Sequence, residues 1–255
     1  MKFRFLLAIL LLPFAAFGQS GLSPFKTEPL KVGITADSPP LVFKAGNELQ
    51  GIEIEFAKMI GKEIGRPIQF VELPWEEQIP ALVDGKTDII MSGMTITKDR
   101  SKEIDFSEPY VEYGQMALVK DADRTRYPNA RSIMSTRGSV AVIPGTTGAT
   151  FVESFFPNAE VKPFGTPDEA TKAVVKGEAD VFIYDSPTIL WLGGEYEQEQ
   201  VGAIGINLTV EYLGWGMRKD DKKLQKEVAN AMAKLNADGQ IGWVLDRWLP
   251  KRPKF

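Results

Sequence analysis

The chain has 255 residues, 44% of them hydrophobic, with neither histidine nor cysteine and a formal net charge of −4 at pH 7. The missing cysteine excludes disulfides and a lipid-modified cysteine, and the missing histidine removes the commonest general base and metal ligand, so any catalysis falls to carboxylates, Lys or Tyr. Basic residues are scattered apart from a closing "KRPKF", which argues against nucleic-acid or anionic-membrane binding.

Residues 1–18 read as a secretory signal peptide: Lys2 and Arg4, then roughly a dozen mostly apolar residues, then small residues with cleavage expected after Gly18. Its removal takes the 30 basic residues to 28 against 34 acidic ones, a net charge of −6. The mature chain has room for one large domain or two of ordinary size. No later stretch is apolar for long enough to span a membrane, so an export signal without a lipid anchor points to free periplasm.

"KVGITA" predicts a strand bounded by Pro39-Pro40. "GIEIEFAKMIGKEIG" places Ile52, Phe56, Met59, Ile60 and Ile64 on one helical face, and "PIQFVEL" follows as a strand. Strand, helix, strand implies a parallel sheet. The sequence then repeats itself: "ALVDGKTDIIMSG" (Ala81 to Gly93) matches "AVVKGEADVFIYD" (Ala173 to Asp185) position for position. Each copy gives a helix end, Gly85 or Gly177 as the stop, Asp88 or Asp180, and a strand covered on both faces. Ligands of open α/β sheets bind beyond the carboxyl ends of strands, here Ser92-Gly93 and Tyr184-Asp185.

"SVAVI", "TTGATFVESFF", "PDEATKAVVKG" and "DVFIY" read as strand, helix, helix and strand. The end gives an amphipathic helix burying Leu224, Val228, Met232 and Leu235, then a shorter one whose Trp243, Leu245 and Trp248 are expected to pack.

Between these elements, "SGMTITKDR" gathers the Ser92 and Thr95 hydroxyls, Thr97 as a helix N-cap with Asp99 in the first turn, and Arg100. Free backbone N–H groups, hydroxyls and a guanidinium able to make two parallel bonds are the parts of a carboxylate clamp. The plainer alternative pairs Arg100 with Glu103 or Asp105 on its own helix surface.

Taken together, "GIEIEFAKMIGKEIG", "GKTDIIMSGMTITKDRSKEIDFSEPY", "GTTGATF", "GEADVFIYDSP" and "LNADGQIGWVLDRWLP" resemble the bacterial extracellular solute-binding proteins of family 3, the periplasmic amino-acid receptors of ABC importers. The resemblance runs from about Leu30 to Pro250. It implies an α/β fold, a two-lobed clamshell of the type II periplasmic-binding-protein class with two hinge strands. Residues 26–112 with 213–255 would form the first lobe and 113–212 the second, with crossovers near Tyr110–Gly114 and Glu211–Trp215.

In that family's terms Arg100 binds the ligand's α-carboxylate, helped by Thr95, the backbone of Gly93 and the amides of Thr147 and Gly148. Asp185 takes the α-ammonium, Trp75 lies over the ligand side chain, Ser92 adds an acceptor, and Tyr184 sits beside Asp185 at the strand end. The resemblance also implies no cofactor, no metal, a monomer, and an inner-membrane ABC permease as partner. The chain departs from the family's pattern where Thr35 and Ser38 replace an Asp and an aromatic, which speaks against cationic amino acids. With Ile143 in place of a longer polar residue, a small, polar or weakly apolar ligand is expected. The orientation of Asp37 is open at this point. Two other functions fit the same scaffold: a cyclohexadienyl dehydratase acting on prephenate or arogenate through a buried carboxyl, and a sensory ligand-binding module.

Overall fold

The computed structural model of the protein describes residues 28–249, so the signal-peptide reading of residues 1–18 and the "KRPKF" end lie outside the described residues. Two five-stranded sheets organise the chain. In the first, strands run in the order Ile68–Glu72, Leu30–Ile34, Ile89–Ile90, Gly216–Met217, Asp105–Phe106. Its first three strands are parallel, as the strand–helix–strand pattern predicts. The Gly216–Met217 strand, returning from the far end of the sequence, is antiparallel to both its neighbours and makes the sheet mixed.

The second sheet has the order Glu160–Pro163, Ser139–Val142, Val181–Asp185, Gln115–Lys120, Val201–Ile204. Ala141, Phe182 and Tyr184 feed the core on one face, and Val140, Val142, Val181 and Ile183 feed that on the other. Those apolar runs are the signature of strands covered twice. Between the sheets, Val111–Tyr113 and Glu211–Leu213 pair as a short antiparallel ribbon, Glu211 opposite Tyr113 and Leu213 opposite Val111.

The Ile52–Ile64 helix buries Ile52, Phe56, Ile60 and Ile64 at a spacing of one turn, and stops at Gly65 in the left-handed region. The internal repeat is structural as well as textual. Asp88 accepts the Lys31 N–H at 3.0 Å, while Asp180 accepts the Ser139 N–H at 2.7 Å, so each ties the start of its own strand to the start of the neighbouring parallel one. Gly85 and Gly177 both take positive φ at the preceding helix end.

The Lys222–Ala237 helix buries Leu224, Val228, Met232 and Leu235 as expected. One packing expectation is corrected in the last helix, Gln240–Trp248: Trp243 is 59% exposed, with the Arg247 guanidinium 4.3 Å from its ring centroid. Ile241, Val244, Leu245 and Trp248 occupy the inward stripe, and Trp243 falls on the other side.

Candidate functional site

A cleft of about 740 Å³ opens between the two sheets, and the strand ends Ser92-Gly93 and Tyr184-Asp185 both line it. Arg100 enters from the first side. Thr97 Oγ1 accepts the Arg100 N–H at 3.2 Å, so Thr97 caps the turn ahead of the Arg100–Glu103 helix, and Asp99 stands outside, bonded to Lys102 at 2.6 Å. The guanidinium points into the cleft, donating to the Thr95 carbonyl at 2.9 Å and to the Gly145 carbonyl at 3.2 Å, which sets aside the alternative pairing with Glu103 or Asp105. Burial pulls its pKa down while Tyr113, Asp185 and Glu211 oppose that fall. A guanidinium remains charged under such opposition.

Asp185 closes the other side at the end of its strand and is 7% exposed. Gln115, opposite it in the antiparallel register, donates to Oδ1 at 2.7 Å and to Thr147 Oγ1 at 3.2 Å. Burial pushes the Asp185 carboxyl up to about 7, and Glu211 adds to the rise against the pull of Gln115 and Arg100. Thr147 begins the Thr147–Phe155 helix, whose N-cap Thr146 accepts the Ala149 N–H. That leaves the Thr147 and Gly148 N–H groups in the first turn, where no intrahelical acceptor reaches them.

The other expected residues fall into two groups. Thr35, Ser38, Trp75, Thr95 and Tyr184 line the cleft with Arg100. Thr95 Oγ1 meets Tyr113 Oη and lies 3.4 Å from Thr147 Oγ1 across the cleft; Ser38 Oγ lies 3.1 Å from Tyr184 Oη. Three assignments change. The Gly93 N–H is already donated to Glu53 Oε1 at 2.7 Å, so the Gly93 backbone offers a ligand no free donor. Gly148 is not among the residues that line the cleft, and an added Cβ there would come 2.7 Å from Gln115 Oε1. Trp75 has the Arg100 guanidinium 5.1 Å from its ring centroid and donates Nε1–H to the Gly145 carbonyl at 3.0 Å, so it buttresses the clamp. The hydroxyls of Ser92 and Thr35 are likewise engaged, the first accepting the Thr35 N–H at 2.8 Å and the second donating to the Leu73 carbonyl at 2.9 Å.

Several contributors were invisible in the sequence. Gln115 is separated from Asp185 by 70 positions, and only the antiparallel register joins them. Glu53 lies on the apolar face of its helix, where it is fully buried and accepts from Gly93 N–H, Tyr110 O–H at 2.7 Å and Trp215 Nε1–H at 3.0 Å. Asp37 faces the cleft, with Ser38 Oγ donating to its Oδ1 at 2.8 Å, and burial raises its pKa against that bond. Among the described residues no group of three or more Asp and Glu side chains is placed to hold a metal ion.

Comparison with known proteins bears on the family and the fold. The sequence profile of the bacterial extracellular solute-binding proteins, family 3, covers residues 30–251. The ABC transporter glutamine-binding protein GlnH of Bacillus subtilis is 29% identical over 212 residues, 82% of this chain and 76% of that protein. The ABC transporter arginine-binding protein 1 of Escherichia coli is 28% identical over 255 residues, 97% of this chain and 99% of that one. Among solved structures, the ancestral amino acid-binding protein AncCDT-1, a precursor of cyclohexadienyl dehydratase, superposes with a TM-score of 0.80 at 36% identity, covering 87% of this chain and 96% of its own. The two sheets joined by a ribbon are thus the two lobes of that fold, and the chain belongs to the bacterial extracellular solute-binding proteins, family 3.

Proposed function

We propose that the protein is a periplasmic receptor that binds an amino acid or similar small zwitterion between its lobes and delivers it to an ABC importer. The observation that carries this reading is the pairing of Arg100 and Asp185 on opposite walls of one cleft. A guanidinium with its fork turned into a cleft suits a carboxylate, and a buried carboxyl suits an ammonium. Arg100 takes the ligand's carboxylate with the Thr95 hydroxyl and the Thr147 amide, displacing the Gly145 carbonyl, and Asp185 takes the ammonium, held in place by Gln115. A ligand touching both walls favours the closed arrangement only by that differential contact, and a change in lobe angle is what a membrane partner would read.

We assign the lobes to residues 26–112 with 213–255 and 113–212, hinged at Tyr110–Gly114 and Glu211–Trp215, and the protein acts as a monomer after loss of its signal peptide. The Val111–Tyr113 and Glu211–Leu213 ribbon supports the hinge positions. Calorimetric titration of ligand-stripped protein with the twenty amino acids tests the reading. Arg100→Ala and Asp185→Ala are each expected to weaken binding at least about tenfold, since charged hydrogen bonds contribute roughly 1.5–3 kcal/mol. Undiminished binding in both variants would overturn the assignment.

One observation favours a second reading, an elimination of water and carbon dioxide from prephenate or arogenate. Asp185, with its carboxyl at about 7, holds a proton near neutral pH across the cleft from a guanidinium able to grip the substrate. Formation of phenylpyruvate or phenylalanine by the wild-type protein, lost in Asp185→Asn, would support it; absence of product removes it.

A further inference from the structure

We infer that Asp37 is a specificity residue of the cleft, selecting ligands whose side chain ends in a cation. The inference rests on the receptor reading and goes beyond it by naming the class of amino acid. Four charged side chains line the cleft: Asp37, Glu76, Arg100 and Asp185. A zwitterionic backbone uses two of them, its carboxylate on Arg100 and its ammonium on Asp185. Glu76 is exposed on the rim, where water screens it. Asp37 is then the one sheltered charge without a counterpart.

The contacts around Asp37 leave that charge uncompensated. It sits on the two-residue strand Asp37–Ser38, paired with Val42–Ala45, which fixes its place at the wall. The Asp37 carboxylate accepts from the neutral Ser38 hydroxyl, and it joins no ion pair among the described residues. The cations that could have served are committed elsewhere: Lys44 to Glu72 at 2.7 Å, and Arg100 to the Thr95 and Gly145 carbonyls. Tyr184 Oη lies beyond Ser38 and extends this polar end of the cleft. A partly buried carboxylate without a partner is costly, and a ligand that brings its own cation removes the cost.

This reverses what the sequence suggested. Thr35 and Ser38 remove the Asp and aromatic that speak for a cationic ligand, and Trp75 has one face occupied by Arg100, so stacking on aromatic rings is a poor way to hold a cation here. A carboxylate two residues beyond Thr35 supplies the same charge from a different point of the wall.

Isosteric ligand pairs isolate the effect. Arginine and citrulline differ in the charge of an otherwise similar side-chain end, and lysine and norleucine in its presence. Calorimetric titration of ligand-stripped wild type is expected to favour the cationic member of each pair by about tenfold or more, a charged hydrogen bond's worth. Asp37→Asn keeps an acceptor for the Ser38 hydroxyl and is expected to collapse the ratio towards one. Asp37→Glu, keeping the charge, is expected to retain a preference. Binding that depends on Arg100 but shows no cationic preference, or a preference that survives in Asp37→Asn, would overturn the role of Asp37 and leave the receptor reading standing. Absence of binding by every amino acid would overturn both.

Discussion

The rings of Phe43 and Trp191 lie 5.5 Å apart although Phe43 belongs to the lobe that carries Arg100 and Trp191 to the lobe that carries Asp185. Trp248 completes the cluster, 5.9 Å from Phe43 and 6.2 Å from Trp191. None of the three lines the ligand cleft. A cross-lobe contact outside the cleft stabilises the closed arrangement whatever the ligand, and apparent affinity scales with the closed fraction. Trp191→Ala is therefore expected to weaken every ligand by one common factor of roughly two to ten, the size of an aromatic pair. Titration of several amino acids checks this. A change confined to one ligand, or no change, would contradict it.

Much of this architecture was legible in one sequence, and the reasons are local. The Ile52–Ile64 helix announced itself by one-turn spacing, and the repeated Gly-x-x-Asp-apolar segments announced two parallel strands ending at the cleft. Arg100 was found because its neighbours Thr95 and Thr97 are close in sequence. Gln115, Glu53 and Tyr113 were missed because their roles come from pairings across 70, 40 and 18 positions, which no periodicity encodes. Trp243 was misjudged for a related reason: an aromatic in an amphipathic helix points inward only if it falls on the stripe, and a shift of one position turns it to solvent.

Ligand affinity is expected to depend on pH through Asp185. Its carboxyl, raised to about 7 by burial, carries a proton in slightly acidic solution, whereas an ammonium ligand requires the carboxylate. Binding below pH 7 then releases a proton, and affinity falls about tenfold for each unit of further acidification. Calorimetry at pH 5.5 to 8 in buffers of differing ionisation heat reads both the affinity and the proton count. A flat profile with no proton released would show that Asp185 is ionised before the ligand arrives.

The repeated aspartates make matching predictions about stability. Asp180 accepts both the N–H and the hydroxyl of Ser139, at 2.7 and 2.9 Å, and Asp88 accepts the Lys31 N–H together with an ion pair to Arg66 at 3.0 Å. Asp180→Ala orphans a backbone donor at the start of the strand leading to the cleft, and is expected to lose about 1–3 kcal/mol in urea denaturation. Asp88→Ala is expected to lose a similar amount, since it frees the equivalent donor of the other lobe. Loss in one lobe only would mean that the two copies share a pattern without sharing a load.

Glu53 couples the cleft to both strands of the ribbon between the sheets. Gly93 is at the cleft, Tyr110 immediately precedes the Val111–Tyr113 strand, and Trp215 follows the Glu211–Leu213 strand; all three donate to this one carboxylate. Glu53→Gln places an amide N–H₂ where an acceptor is needed, so two donors meet, at an expected loss of about 1–3 kcal/mol. The variant should also change the shape of the pH profile. Burial lifts the Glu53 carboxyl from 4.5 to about 7, so the folded state keeps its proton longer than the unfolded chain does. Stability from this group is full below about 4.5, falls as pH rises towards 7, and stays reduced above it. Glutamine does not titrate, so that decline should be missing from the variant when unfolding is followed between pH 4.5 and 8. An unaltered slope would mean that Glu53 is ionised throughout and that its three donors outweigh its burial.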